Sequence, residues 1–183
     1  MSVFTNQADG APAAAAAYIE AVLGMLGDRE ARPLLAAAPA EFRDLVAAVP
    51  DGRLRQPESP GRWSVGQVLA HMVDSDLVWA WRLRMILAHE RPSLGGYDQD
   101  VWARRLHYEK ADSRASLDQF GQVRSINLAL LDRVPDAAFD RVGVHAERGE
   151  ESVRHLMRLY AGHDLVHLAQ VRRILSAEPS HEE

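Results

Sequence analysis

Two histidines near the end of the chain, His163 and His167, lie four residues apart in a segment with strong helical periodicity. Residues i and i+4 of an α-helix lie one above the other on the same face. That face is apolar, because an arc about 80° wide also contains Leu156, Tyr160, Val171 and Ile174. Burying unpaired polar rings costs free energy, so the two imidazoles need partners, and a divalent metal ion is one such partner.

Other polar residues also have the phase of the apolar stripes of their predicted helices. Seven such residues, on three predicted helices, are His71, Asp76, Arg124, Asn127, His163, His167 and Gln170. One polar residue on an apolar face would mean little, whereas this group indicates a polar cavity inside an apolar bundle. Asp76 and Arg124 form either a structural ion pair or a contact for a substrate. The remaining histidines are expected to be solvated: His89, His107, His145, His155 and His181.

The spacing of the histidine pair matches known helical pairs of zinc ligands. The motif His-Asp-x-x-His nevertheless differs from the metalloprotease motif His-Glu-x-x-His, because Asp164 is one methylene shorter than the glutamate that activates water there. Di-iron bundles need paired Glu-x-x-His motifs, and the chain has one instance, Glu178–His181, in a tail behind Pro179. The sequence therefore favours neither a metalloprotease nor a di-iron protein.

The composition of the 183 residues is that of an ordinary globular protein, and we predict one domain over residues 1–183. The net charge of −5 argues against nucleic acid as a partner, because phosphate contacts need a basic surface. There is no cysteine, so the chain can have neither a disulfide nor a thiolate ligand or nucleophile of its own. No apolar stretch approaches the ~18 residues of a membrane span, and we expect no membrane association and a cytoplasmic location.

The chain is predicted to be all-α, since strand formers are scarce and no segment alternates with period two. Ser64 and Gln67 form a capping box that marks the clearest helix start. The loops expected are Pro50–Arg62, a long connection over Arg91–Ala111 with a helical turn near Asp98–Leu106, and a loop containing Gly143 and Gly149. We predict a short N-terminal helix followed by a four-helix bundle: Pro12–Leu26, then Glu30–Val49, Ser64–Glu90, Ser113–Arg133 and Ser152–Ser176.

Two motifs, in this order along the chain, support a family assignment. The first is Trp63-Ser64-Val65 leading into Val68–Asp74, and the second is Gly162–Gln170. With them the sequence resembles the DinB-like superfamily of bacterial four-helix-bundle proteins. The resemblance extends from about Tyr18 to Leu175, and includes the segments Asp98–Trp102 and Arg124–Asn127.

The resemblance implies a particular fold and metal site. Members of this superfamily hold a divalent metal, often nickel or zinc, with one histidine from the second bundle helix and two from the fourth. These positions fall on His71, His163 and His167 of this chain. The implied topology is up-down-down-up with a long crossover, which the segment Arg91–Ala111 would provide. Some relatives transfer low-molecular-weight thiols such as bacillithiol or mycothiol, and many are labelled as metal-dependent hydrolases.

The leading hypothesis is an enzyme with one divalent metal per chain, zinc or nickel, that activates water or an external thiol toward a small-molecule substrate. Three imidazole ligands leave a coordination position open, as in catalytic zinc sites. Asp74 and Asp164 are candidates for a general base by proximity in sequence alone. The residues that would orient the substrate or support the ligands are Asp76, Arg124, Asn127 and Gln170. The alternatives are a non-catalytic metal- or ligand-binding bundle and a purely structural bundle; a homodimer is left open.

Overall fold

The computed structural model describes residues 12–177 and is mainly helical. Two single turns of 3₁₀-helix, Tyr108–Lys110 and Asp136–Asp140, add to the α-helices. The pair Glu178–His181 lies outside the described residues. Within residues 12–177 there are seven α-helices: α1 Pro12–Leu26, α2 Ala31–Val46, α3 Asp51–Leu54, α4 Val65–Ala88, α5 Gln99–Arg105, α6 Ser113–Leu131 and α7 Val153–Ser176.

The long helices begin at side-chain caps. The Ser64 side chain accepts a hydrogen bond from the Gln67 backbone N–H, and the Gln67 side chain accepts one from the Ser64 backbone, so the predicted capping box is present. The Asp112 side chain accepts from the backbone N–H groups of Arg114 and Ala115 at the start of α6, and the Ser152 hydroxyl accepts from the His155 backbone N–H at the start of α7. These caps fix the phase of α4, α6 and α7, and therefore the direction in which their polar residues point.

Helices α4 and α6 run parallel to each other. Gly66 and Ser113 are neighbours at their N-terminal ends, and Asp76 and Arg124 are paired near their middles. Two consecutive long helices can be parallel only if the chain returns along the bundle between them. Residues 89–112 make this crossover, which confirms the long connection expected from the sequence.

Helices α2 and α7 are the second parallel pair. Leu35 of α2 and Asp164 of α7 both contact the same guanidinium group, and further along both helices Arg172 donates to Glu41. Helices α4 and α7 are antiparallel, since His71 and His167 lie close together while Trp79, later in α4, stacks on the earlier Tyr160 of α7. The order of directions along the chain is thus up-down-down-up, as predicted.

Three short strands, which the sequence reading did not predict, cover one end of the bundle. The strands β1 (Ser93–Leu94), β2 (Val142–His145) and β3 (Gly149–Ser152) form a sheet in which β1 is parallel and β3 antiparallel to β2. Strands of two to four residues are too short for a period-two pattern to be recognised. The segment that contains Gly143 and Gly149 is therefore a hairpin rather than the expected loop. Short helix α3 likewise interrupts the predicted loop Pro50–Arg62.

Both glycines of the hairpin occupy positions where a side chain would be unfavourable. Gly149 has φ +78°, a left-handed conformation that side chains disfavour, at the turn between β2 and β3. A Cβ at Gly143 would lie 2.8 Å from the Leu94 side chain, so only glycine lets β1 approach β2 this closely. His145, expected to be solvated, is instead buried on β2.

Two apolar clusters form the core. One surrounds Trp79, Leu83 and Leu156, and the other surrounds Phe42 and Phe120. A polar layer separates them, since the Arg124 guanidinium lies over both the Phe120 and the Trp79 rings. Within residues 12–177, no helix is both long and apolar enough to cross a membrane.

Helix α1 packs against α7 through a close backbone contact. A Cβ on Gly162 of α7 would collide with the Val22 carbonyl of α1, so the two helices can approach only because residue 162 is glycine. The glycine also places α1 beside the next residue of α7, His163. The short N-terminal helix is thus fixed to the part of α7 that carries the histidines.

The mutation Gly162→Ala is therefore expected to destabilise the fold, because overpacking typically costs about 1–3 kcal/mol and outweighs the better helix propensity of alanine. Gly24→Ala in α1 is the matched control, since a Cβ there meets nothing within 4 Å. That change should stabilise by up to about 1 kcal/mol. Urea unfolding of both variants measures the difference. Equal stabilities for the two variants would contradict the packing of α1 on α7.

Candidate metal centre

Three histidines from two helices meet inside the bundle. The Nε2 atom of His163 lies 3.1 Å from the Nε2 atom of His71 on α4 and 3.1 Å from that of His167, one turn further along α7. All three side chains are buried, with at most 8% of their surface exposed. The sequence had linked His163 and His167 by spacing alone, and the packing of α4 against α7 brings His71 to the same point.

The surroundings keep the three rings uncharged. Burial lowers the pKa of His71 and His163 well below the usual range, and the other histidines lower it further. Burial also lowers the pKa of His167 to about 4, although a hydrogen bond to Gln170 opposes this shift. Neutral imidazole is the form that binds a metal.

Gln170 fixes the orientation and tautomer of one ring. Its Oε1 atom lies 2.8 Å from His167 Nδ1 and can only accept, so Nδ1 carries the proton and the lone pair is on Nε2, toward the other histidines. Oriented ligands of this kind are typical of metal sites. Gln170 lies one helical turn after His167 on α7 and holds this ring in place.

The cluster fits a metal ion better than it fits hydrogen bonding. Among the residues described, the Nε2 atoms of His71 and His163 face only other imidazoles, and a metal ion between the rings would accept the lone pairs of all three. Zn–N distances of about 2.0–2.1 Å separate the nitrogens of a tetrahedral site by about 3.3–3.4 Å, close to the 3.1 Å seen here. A further ligand from outside the chain would complete four-coordination. Three nitrogen donors of this kind suit zinc or nickel.

An aromatic wall closes the site on the side of the crossover. The Trp63 ring lies 5.1 Å from the His71 ring and 6.2 Å from that of Tyr108. The Tyr108 hydroxyl donates to Asp74 over 2.5 Å. Asp74, a candidate base, is therefore linked to the histidines through these two aromatic side chains and is already engaged by a phenol.

Arg124 forms the polar layer next to the histidines. Its Nε and one terminal nitrogen donate to the two Asp76 oxygens over 2.9 and 2.8 Å, and its terminal nitrogens donate to the two Asp164 oxygens over 2.6 and 2.9 Å. A fifth N–H donates to the Leu35 carbonyl. All five donors of this buried guanidinium are used, and Arg124 of α6 thereby connects α2, α4 and α7.

This arrangement changes the roles expected for four residues. Both oxygens of Asp164 accept from Arg124, so Asp164 is an ion-pair partner of Arg124 and not a free base. Asp76 and Arg124 form the structural ion pair that was one of the two alternatives. The Asn127 amide donates to the Asp76 backbone carbonyl over 3.2 Å, which also makes it part of the packing between helices.

A cavity that is open to solvent lies beside His163. The sequence reading missed most of the residues that line it: Tyr18, Ser75, Arg82, Tyr97, Gln99, Arg148, Leu159 and Tyr160. A signal was present on α4, where His71, Ser75 and Arg82 fall within an arc of about 40° at 100° per residue. Tyr97 and Arg148 come from the crossover and the hairpin, where no periodicity indicates direction.

With this geometry, the comparison with known proteins identifies the family. The sequence profile of the DinB superfamily matches residues 34–171, and the chain belongs to this superfamily. The matched segment contains all three histidines of the cluster. The assignment made from the two sequence motifs is thus confirmed.

Curated relatives come from Bacillus and related bacteria. The chain is 28% identical over 142 residues to YfiT of Bacillus subtilis, and the aligned region covers 77% of this chain and 80% of YfiT. It is 27% identical over 136 residues to a protein of Bacillus licheniformis, covering 74% of this chain and 77% of the relative. Both relatives are named as candidate metal-dependent hydrolases.

A solved structure supports the same assignment. The structure of Bacillus subtilis YfiT, described as having an unusual four-helix bundle topology, matches with a TM-score of 0.72 and 25% identity over 81% of this chain and 87% of YfiT. The two proteins therefore share the four-helix-bundle fold.

Adding zinc or nickel to chelator-stripped protein should raise its melting temperature, because a ligand that binds only the folded state stabilises it by about 2.7 kcal/mol at 100 times its Kd. His167→Ala should remove this increase, whereas His89→Ala, which changes an exposed histidine beyond the end of α4, should keep it. Differential scanning calorimetry with metal titration measures both. A full increase in the His167→Ala protein would show that the metal binds elsewhere.

Asp76 and Arg124 should be energetically coupled. Removing one member of a buried ion pair leaves the other unpaired and costs roughly 3–5 kcal/mol. The double variant leaves only Asp164 without its partner, so its loss should be smaller than the sum of the two single losses. A double-mutant cycle with Asp76→Leu and Arg124→Met, followed by urea unfolding, measures the coupling. Because Asp164 stays behind, Arg124→Met should be more damaging than Asp76→Leu. Additive losses would mean that the pair contributes nothing jointly.

Proposed function

We propose that this protein is a metal-dependent enzyme that holds one divalent ion, zinc or nickel, with His71, His163 and His167. The observation that carries the proposal is the convergence of three uncharged, buried Nε2 atoms beside a cavity that opens to solvent. A metal ion in such a site lowers the pKa of a water molecule or thiol in its open position and so provides a nucleophile near neutral pH.

The chain's own residues supply orientation and exclusion of water. Gln170 holds the lone pair of His167 toward the cluster, and Trp63 shields His71. Because the chain has no cysteine, a thiol nucleophile would have to be a substrate, such as a low-molecular-weight bacterial thiol. The names of the relatives support hydrolysis, and the resemblance to thiol-transferring members supports thiol transfer.

Asp74 is the remaining candidate for a base. Its carboxylate is half-buried and accepts from the phenol of Tyr108, a ring that packs against Trp63 beside His71. Asp164 is less suited to this role because Arg124 engages both of its oxygens. In this proposal Asp76, Arg124 and Asn127 position the helices and do not touch the substrate.

If the proposal is right, protein reloaded with zinc or nickel should hydrolyse small esters or amides, or conjugate a small thiol to an electrophile, faster than chelated protein. His163→Ala should reduce turnover to the level of the chelated protein, since it removes the ligand that faces the cavity. The matched control, His89→Ala, should keep full activity. Initial rates across a panel of esters, amides, bacillithiol and mycothiol measure this.

The two remaining functional classes give different results in the same assays. Metal binding without metal-dependent turnover on any substrate of the panel would favour a non-catalytic binding bundle. Absence of metal binding, together with unchanged stability on metal addition, would favour a purely structural bundle.

A further inference from the structure

The cavity beside His163 contains a buried cation without an anionic partner. Arg82 of α4 is 4% exposed, and within residues 12–177 no carboxylate lies within salt-bridge distance of it. One terminal nitrogen donates to the Gly95 carbonyl over 2.6 Å and lies 3.3 Å from His145 Nε2. Its Nε is buried and has no partner among the described residues. A guanidinium kept from water in this way is unfavourable unless an anion joins it.

The nearby ionisable groups do not neutralise Arg82. Burial, followed by Arg148 and Arg82, lowers the pKa of His145 to about 4, so this ring is uncharged at neutral pH. Two carboxylates lie nearby. Both oxygens of Glu151 accept from Arg148, over 2.6 and 2.9 Å. Glu147 Oε1 lies beside Gly96 and the His145 ring. Within residues 12–177 neither carboxylate is paired with Arg82.

The cavity is also rich in hydrogen-bond donors. None of its lining residues is acidic, and it contains three phenols, from Tyr18, Tyr97 and Tyr160. Burial raises the pKa of all three phenols, that of Tyr18 to about 12, so they remain protonated donors. Neutral donors around an unpaired guanidinium form a site complementary to an oxyanion.

We propose that this cavity binds a carboxylate or phosphate group of the substrate through Arg82 and the surrounding phenols, and so places the rest of the molecule beside His163. The substrate class would be small organic anions. The reaction at the histidines rests on the proposed function, whereas binding of the oxyanion rests on Arg82 and the phenols around it. The two can therefore be tested separately.

Titration of the purified full-length protein with inorganic phosphate or succinate, with sodium chloride as the ionic-strength reference, tests the site directly. Two-dimensional NMR should show saturable amide shifts at Ser75, Tyr97 and Leu159, which line the cavity. The ion with the lower Kd identifies phosphate or carboxylate as the preferred group. Absence of saturable shifts at these amides with both ions would overturn the proposal.

Arg82→Gln should weaken anion binding about tenfold or more, since a hydrogen bond to a charged group contributes about 1.5–3 kcal/mol. Arg84→Gln is the matched control, because Arg84 is exposed on the same helix, and its Kd should be unchanged. If Arg82→Gln does not fold, Arg82→Lys provides a second test. It keeps the charge but loses the planar fork, and should also bind more weakly than the parent. An unchanged Kd in the folded Arg82 variant would overturn the proposal.

The variant His167→Ala separates this inference from the metal site. It should lose metal binding and keep the phosphate- or succinate-induced shifts. If the shifts disappear in His167→Ala but persist in Arg82→Gln, the anion binds at the histidines, and the role given to Arg82 is wrong. If the protein binds the anion but takes up no metal, the oxyanion site is supported and the proposed metal-dependent activity is wrong.

Discussion

The buried guanidinium of Arg124 is the constraint on which the rest of the bundle depends. Removing a charged group from water is costly, and the cost is recovered only when its hydrogen bonds are all satisfied. Here five N–H groups reach acceptors on three other helices: Leu35, Asp76 and Asp164. Burial raises the pKa of both carboxylates, that of Asp164 to about 6, although Arg124 opposes the shift. Because sliding of any of these helices would break hydrogen bonds to Arg124, their relative positions are fixed.

The positions of the three histidines depend on that constraint. Asp164 is the residue next to His163, and Asp76 lies five residues beyond His71, so the ion pairs fix the register in which α4 and α7 present their histidines. A slip of one turn would move His71 by about 5.4 Å and separate Nε2 atoms that now lie 3.1 Å apart. The register that pairs Asp76 and Asp164 with Arg124 is therefore also the one that brings the histidines together.

The features that could be predicted from the sequence are those that depend on helical periodicity and capping. The helices, the Ser64–Gln67 box and the inward phase of His71, Arg124 and His163 were all readable, because each depends on local geometry. Asp164 as a second partner of Arg124 was not, since it requires knowing which helices are neighbours. The short sheet and the burial of His145 were missed for another reason: strands of two to four residues have no measurable pattern, and their burial depends on contacts between distant segments.

The two buried arginines show how the fold separates stability from recognition. Arg124 has every donor satisfied inside the bundle, whereas Arg82 faces the cavity and its Nε has no partner within residues 12–177. Four of the nine residues that line the cavity come from segments outside the four bundle helices: Tyr18 on α1, Tyr97 and Gln99 in the crossover and Arg148 in the hairpin. Changes in these peripheral segments can alter the shape and charge of the cavity without disturbing the register that holds the histidines. The histidine motifs therefore define the three-histidine cluster, whereas the shape and charge of the cavity depend on segments that these motifs do not include.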